Sequence, residues 1–232
     1  MVTGGAGNIG LGIGTALAEA GAQVVLIDRD AEALTKAARR LGCAAVNADL
    51  GADSAAALAE RVLEEHGTVD LIVNNVGITT PSGFRETTED EFDRVFATNL
   101  RGPWFFTRRL VEAVIAERRP ASILFISALH SSRVRLYPHY SASKAAVAML
   151  VKELAHELGP HGIRVNALSP GWIEPNGGKQ WDLIPLGRSG RPEDVAPMAL
   201  ALLDDAVSGY VTGADVAVDG GLATHTWIDS QR

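Results

Sequence analysis

The chain has 232 residues, enough to bury the core of one domain and short for two. Its composition, 47% hydrophobic and 21% charged, excludes a disordered chain, its single cysteine excludes an intramolecular disulfide, and its net charge of −7 argues against general nucleic-acid binding. No apolar run approaches the roughly 20 residues needed to span a bilayer and no signal-like segment opens the sequence, so a cytoplasmic protein without a membrane partner is expected.

Only Met1, Val2 and Thr3 precede a glycine-rich turn, Gly4-Gly5-Ala6-Gly7-Asn8-Ile9-Gly10. An average strand needs about five or six residues, so this first strand is expected to be unusually short or to lack a few natural N-terminal residues; the second reading is favoured. A helix is predicted over 9–20, then a strand over 23–28, whose run Val24-Val25-Leu26-Ile27 suits burial on both faces. Helix 31–41, strand 44–50, helix 53–66 and strand 70–75 follow. A long helix over 89–118 opens on a Thr88/Glu91 capping-box pattern. Strand 122–127, helix 140–158 with its Gly159-Pro160 stop, strand 163–168, helix 192–204 with Pro192 in its first turn, and strand 215–219 complete the chain. Strands alternating with helices predict an α/β fold: a single-domain, Rossmann-type, doubly wound parallel sheet with helices on both faces. No short repeat or linker interrupts the pattern, so one dinucleotide-binding domain over 1–232 is expected to carry both the cofactor and the substrate site.

The turn at Gly4 to Gly10 lies between a strand and a helix, where glycines let the backbone approach a pyrophosphate and the helix start offers free N–H groups. Asp28 ends the next strand, 18 residues beyond Gly10. A carboxylate there can accept both ribose hydroxyls of NAD and repel the extra phosphate of NADP; its plainer role is a helix cap or turn residue. Arg29 beside it could pair with a 2′-phosphate, and the balance of the pattern favours NAD.

Tyr140-Ser141-Ala142-Ser143-Lys144 opens a helical stretch, placing Tyr140 and Lys144 on one face as i, i+4 neighbours. A free phenol titrates near pH 10. A nearby ammonium, together with the positive nicotinamide ring, is expected to lower that value and let Tyr140 take a proton from an alcohol.

From Thr3 to about Gly221 the chain resembles the short-chain dehydrogenase/reductase family. The resemblance is carried by Thr3-Gly4, Asp49-Leu50, Asn74-Asn75-Val76-Gly77, Asn99, Ser127, Tyr140/Lys144, Pro170-Gly171 and Val218-Asp219-Gly220-Gly221. It extends through 184–188 and 191–196. It implies that Gly4, Asn8, Ile9 and Gly10 cradle the phosphates and that Asp49 and Leu50 meet the adenine. Asn75 and Gly77 would line the cleft, and Pro170, Gly171 and Ile173 would pass near the nicotinamide. It implies further that Lys144 binds the ribose, that Asn99 holds a water in a proton relay, and that Ser127 hydrogen-bonds the substrate oxygen. Homodimers or homotetramers are implied as well, through the helices beginning near Glu89 and Tyr140 and the last strand. Trp104, Phe105 and Phe106 suit such an interface or a helix core equally.

Three positions depart from the family pattern. Asn8 stands where a glycine is usual, and asparagine tolerates a left-handed backbone. Ser127 lies 13 residues before Tyr140, but the family often has two serines there, and Ala128 replaces the second; Ser131 is the other candidate. The segment 172–182 is short for a mobile lid, Pro175 replaces a common threonine, and Gly177-Gly178 is a hinge or a turn. His130, Arg133, Arg135 and His139 lie near the start of the substrate pocket. The implied activity is NAD(H)-dependent interconversion of a secondary alcohol and a ketone, with polyols, sugars and hydroxy acids as candidate substrates. An NADPH-dependent 3-oxoacyl thioester reductase and a non-catalytic dinucleotide-binding protein are the alternatives.

Overall fold

A computed structural model of the chain describes residues 1–134 and 136–224; Arg135 lies outside the described residues. Seven parallel strands form one sheet: β1 (Val2–Thr3), β2 (Val25–Asp28), β3 (Ala44–Asn47), β4 (Leu71–Asn74), β5 (Ala121–Ile126), β6 (Ile163–Pro170) and β7 (Asp215–Val218). Their spatial order is β3-β2-β1-β4-β5-β6-β7. The chain therefore reverses its direction of winding between β1 and β4, and a crevice opens there beyond the carboxyl ends of the strands.

Alternation along the strands divides the core in two. Ile27, Ile72, Ile123, Phe125, Val165 and Ala167 face one layer, with Leu58 and Val62 of α3 (Ala55–His66), Phe106 and Leu110 of α5 (Gly102–Ala116), and Leu150 of α6 (Pro138–Leu158). Leu26, Val73, Leu124, Ile126 and Leu168 face the other, with Ile13 and Leu17 of α1 (Asn8–Glu19), Leu34 of α2 (Ala31–Leu41) and Val195 of α7 (Pro192–Leu203). Each strand is thus buried on both sides, as its unbroken apolar run requires. Both layers are helical, the doubly wound arrangement expected.

The predicted helix over 89–118 needs correction. It divides into α4 (Glu89–Phe96), a π-helical turn (Ala97–Arg101) and α5. Contacts outside the helix act at this turn: the Asn99 amide bonds the backbone of Ile78, and a Cβ on Gly102 would stand 2.1 Å from the Leu50 carbonyl oxygen. Wide turns of this kind concentrate at functional sites. The Thr88/Glu91 capping box forms as expected. The last helix of the catalytic segment begins at Pro138, two residues before the expected start, because proline suits a first helical turn. Strand β3 ends at Asn47; the chain then turns through Asp49, whose Oδ1 accepts the Gly51 N–H at 2.8 Å. Among the three aromatic residues of α5, Phe106 is core, whereas Trp104 and Phe105 face outward. No helix among the described residues is long and apolar enough to cross a membrane.

Candidate active site

A cleft of about 1120 Å³ lies over the carboxyl ends of β1, β2, β4 and β5. Its floor is set by Thr3. The buried Oγ1 donates to the Val73 carbonyl oxygen at 3.3 Å and accepts the Asn75 and Val76 N–H groups at 3.1 and 3.2 Å. Asn75 returns the tie, its Nδ2 donating to the carbonyl oxygens of Thr3 and Gly4, both at 3.0 Å. Two chain segments about 70 residues apart are thereby fastened side by side beneath the glycine turn.

Gly4, Gly7, Asn8 and Ile9 line the cleft. Asn8 has φ +34°, the left-handed backbone that asparagine was expected to tolerate. Helix α1 follows the N-cap Gly7 with no side-chain cap and no acidic residue in its first turn, so its first N–H groups and positive end are open to a ligand anion. Gly10 does not line the cleft. A Cβ there would come within 2.1 Å of the Gly4 carbonyl oxygen and 2.5 Å of Asn75 Nδ2, so this glycine lets the helix sit tightly under the turn.

Asp28, Arg29, Asp49 and Leu50 line the far end. Asp28 Oδ2 accepts the Ala6 N–H at 3.0 Å and Oδ1 accepts the Asp30 N–H at 3.1 Å. The carboxylate therefore braces the glycine turn while facing the cleft. Arg29, exposed, pairs with Asp49 at 3.7 Å.

At the other end stand Ser127, Tyr140 and Lys144, with Asn75, Gly77, Pro170 and Gly171 along the walls. The Lys144 ammonium is buried and donates to the Ile126 carbonyl oxygen at 2.8 Å; its Nζ lies 5.8 Å from the Tyr140 ring centre. A Cβ on Gly77 would lie 3.3 Å from that Nζ, so the absent side chain leaves the lysine room. Ser127 Oγ is buried and without a hydrogen-bond partner among the described residues, while its N–H donates to the Leu168 carbonyl oxygen. Such an orphaned hydroxyl in a cleft wall calls for a ligand acceptor. Ser131, the other candidate, is in a short 3-10 turn and does not line the cleft.

Burial, rather than the ammonium, governs the tyrosine within the protein. It pushes the Tyr140 phenol up to about 12 and draws the Lys144 ammonium down to about 8. The expected lowering of the tyrosine by its lysine is therefore not a property of the chain alone.

Asn99 and Ile173 lie outside the cleft lining. The Asn99 amide is consumed by its neighbours: Oδ1 accepts the Ile78 N–H at 2.8 Å, and Nδ2 donates to the Ile78 carbonyl oxygen at 2.9 Å and Ser143 Oγ at 3.0 Å. Ser143 in turn donates to the Tyr140 carbonyl oxygen at 2.7 Å, linking the π-helical turn to the start of α6. Ile173 packs into the core on the α1/α7 side, near Gly190.

The segment that is short for a mobile lid is a pinned hairpin. Ile173 bridges Gly190 and Gln180 bridges Arg188, while the N–H groups of Gly178 and Ser189 donate to the carbonyl oxygens of Ser189 and Lys179. Gly177-Gly178 is its close-packed corner: a Cβ on Gly177 would stand 2.0 Å from the Gly190 carbonyl oxygen, and Arg191 Nε donates to the Gly177 carbonyl oxygen at 2.9 Å. The hairpin brings Trp172 and Trp181 to the cleft, opposite in sequence to His130 and Tyr137, which also line it. His130 lies by the pocket as the sequence suggested, whereas Trp172, Trp181 and Tyr137 are the part that reading the sequence missed; no spacing rule marks a tryptophan in an irregular segment. His139, by contrast, turns away into a buried network with Thr80 and Thr87.

Comparison with known proteins places this geometry. Residues 4–223 match a family model described as enoyl-(acyl carrier protein) reductase. An uncharacterized oxidoreductase of Mycobacterium bovis is 40% identical, with 95% of each chain covered. A galactitol 2-dehydrogenase (L-tagatose-forming) of Cereibacter sphaeroides is 38% identical over 95% of this chain and 92% of its own. The crystal structure of a short-chain type dehydrogenase/reductase from Mycobacterium marinum superposes with a TM-score of 0.88 at 33% identity, covering 95% of this chain and 92% of that one.

Proposed function

Because the chain belongs to the short-chain dehydrogenase/reductase family, whose members are oxidoreductases acting on CH–OH groups, we propose that it interconverts a secondary alcohol and a ketone with NAD(H), using Tyr140 as general acid/base. One observation carries this reading: a single cleft joins an uncapped helix start and Asp28 at one end to Tyr140, Lys144 and the orphaned Ser127 hydroxyl at the other.

The residues fit a nicotinamide dinucleotide. A Cβ on Gly7 would meet nothing within 4 Å, so open space lies against the turn, and the Ser127 oxygen waits for an acceptor. In this reading Gly4, Asn8 and Ile9 hold the phosphates and Gly10 shapes their turn. Asp28 takes the ribose hydroxyls, and Asp49 and Leu50 the adenine. Asn75, Gly77, Lys144, Pro170 and Gly171 hold the nicotinamide half, with Ile173 supporting the wall from behind. When bound, the dinucleotide gives or accepts the hydride.

The chain supplies position and the proton. Ser127 Oγ donates to the substrate oxygen, which fixes the carbonyl and stabilises the charge that develops on it. Tyr140 holds its proton through neutral pH, so the phenol is ready to donate during reduction. Oxidation needs the phenolate, and its kcat/KM is expected to rise with pH from 7 to 10. Asn99 acts by positioning, through Ser143 and the backbone at Tyr140.

Tyr140→Phe is expected to lower turnover by roughly 10²–10⁴-fold while NADH still binds, followed by nicotinamide fluorescence. Undiminished turnover would overturn the assignment. In the same titration the wild-type chain is expected to prefer NADH over NADPH. A strong NADPH preference would point instead to Arg29 as the 2′-phosphate ligand and to a 3-oxoacyl thioester reductase.

A further inference from the structure

The substrate end of the cleft is walled in a way the proton and hydride chemistry does not require. Trp172 and Trp181 meet edge to face, their ring centres 4.9 Å apart at 86°. His130 lies parallel to Tyr137 at 5.9 Å and edge-on to Tyr140 at 4.9 Å. Beside these rings the lining carries Ile78 and Leu129 with Thr79 as a polar neighbour, and Val134 and Leu136 stand exposed at the mouth. Trp181 packs on Leu129, Ile184 and Leu222, so the wall is formed by the protein's own core.

Charge is distributed just as unevenly. Among the described residues that line the cleft, the carboxylates are Asp28 and Asp49, both at the adenosine end. The lysine and arginine side chains are Lys144, already bonded to the Ile126 carbonyl oxygen, and Arg29 at the adenosine end.

These walls discriminate between substrate classes. An open-chain polyol would set most of its extra hydroxyls against aromatic and aliphatic carbon, with the Thr79 and Tyr137 hydroxyls and the His130 and tryptophan ring nitrogens as the other polar groups of this wall. At the substrate end a phosphate-bearing thioester tail would meet, among the described lining residues, no arginine and no lysine besides the already bonded Lys144. A flat, uncharged ring would lay one face or edge on the tryptophan pair and leave one oxygen for Ser127 and Tyr140. We propose that the substrate is a neutral ketone or secondary alcohol whose reacting carbon belongs to, or is attached to, an aryl or alicyclic ring, with Trp172 and Trp181 as the platform for that ring. The inference rests on the hydride-transfer reading above and names the substrate class of that site.

The test pairs turnover with a binding measurement independent of it. With the full chain, kcat/KM is compared for 1-phenylethanol and galactitol with NAD, and for acetophenone and an acetoacetyl thioester with NADH. Calorimetric titration with benzamide, whose carbonyl the enzyme does not reduce, is run in the presence of NADH. The ring substrates are expected to be preferred at least about tenfold and benzamide to bind. Trp181→Ala is expected to raise the KM for acetophenone about tenfold and weaken benzamide, leaving NADH affinity unchanged. Trp181→Phe should restore most of both, and the half-exposed Trp172→Ala supplies a second variant should Trp181→Ala fail to fold. Preference for galactitol or the thioester, or no benzamide binding, overturns the proposal. Benzamide binding that depends on Trp181, with no turnover of any substrate, upholds the wall and overturns hydride transfer instead.

Discussion

Lys144 is 3% exposed, its ammonium lies on the Ile126 carbonyl oxygen, and burial holds its pKa near 8. The unfolded chain would titrate this lysine near 10.5, so between about pH 8 and 10.5 the unfolded state binds more protons and the folded state gains stability as pH rises. Below pH 8 the full cost of the buried charge is present, roughly 3 kcal/mol at about 1.4 kcal/mol per pH unit. Losing the bond to Ile126 returns about 1 kcal/mol of that. Lys144→Met is therefore expected to be more stable than wild type at pH 7 by roughly 1–3 kcal/mol and to lose that advantage by pH 10.5, with turnover abolished. Urea unfolding at the two pH values checks it, and a variant less stable at pH 7 would show that the lysine supports the fold as well as the chemistry. That Tyr140, Lys144 and Asp28 belong to one cleft was legible in the sequence because each was picked out by a short, fixed spacing. Trp172, Trp181 and the direction of the Asn99 amide were not, because they depend on which distant backbone a side chain meets.

At the scale of elements, the glycine turn and α1 behave as one interlocked piece. Gly10→Ala would drive a methyl group into the Gly4 carbonyl oxygen and Asn75 Nδ2, lifting the helix from the turn or opening the turn itself. It is expected to cost about 1–3 kcal/mol in stability and to weaken NADH at least about tenfold, read by thermal unfolding and nicotinamide fluorescence. Unchanged NADH affinity would separate the turn's shape from its role as a cradle. Strand and helix order could be read along the chain because the strands carry unbroken apolar runs and the helices carry caps. The π-helical turn could not, since it arises where Asn99 reaches Ile78 and Gly102 passes Leu50. The hairpin at residues 173–190 escaped for a similar reason: its register is set by isolated bridges and by Arg191 reaching back to Gly177, not by alternation.

Across the whole molecule, the sheet and both helical layers followed from the alternation of elements, whereas the outer surface is less determined. Trp104 and Phe105 on α5 stand 45% and 38% exposed, with the Arg101 and Arg108 guanidinium groups over the Phe105 ring at 5.4 and 5.5 Å. Exposed aromatic groups of this size favour burial against another subunit. Light scattering is expected to give two or four times the mass of one chain, falling toward one with Trp104→Glu; a monomeric wild type would leave these rings as plain surface. The tie between Thr3 and Val73 has a kinetic side. The central strand pair joins segments 70 residues apart, and neither β1 nor its glycine turn has a floor until β4 has arrived. Closing so long a loop is slow relative to forming local helices, so the dinucleotide cleft is completed late in folding. Added NADH should consequently slow unfolding of the finished protein while leaving the early steps of refolding at their own pace.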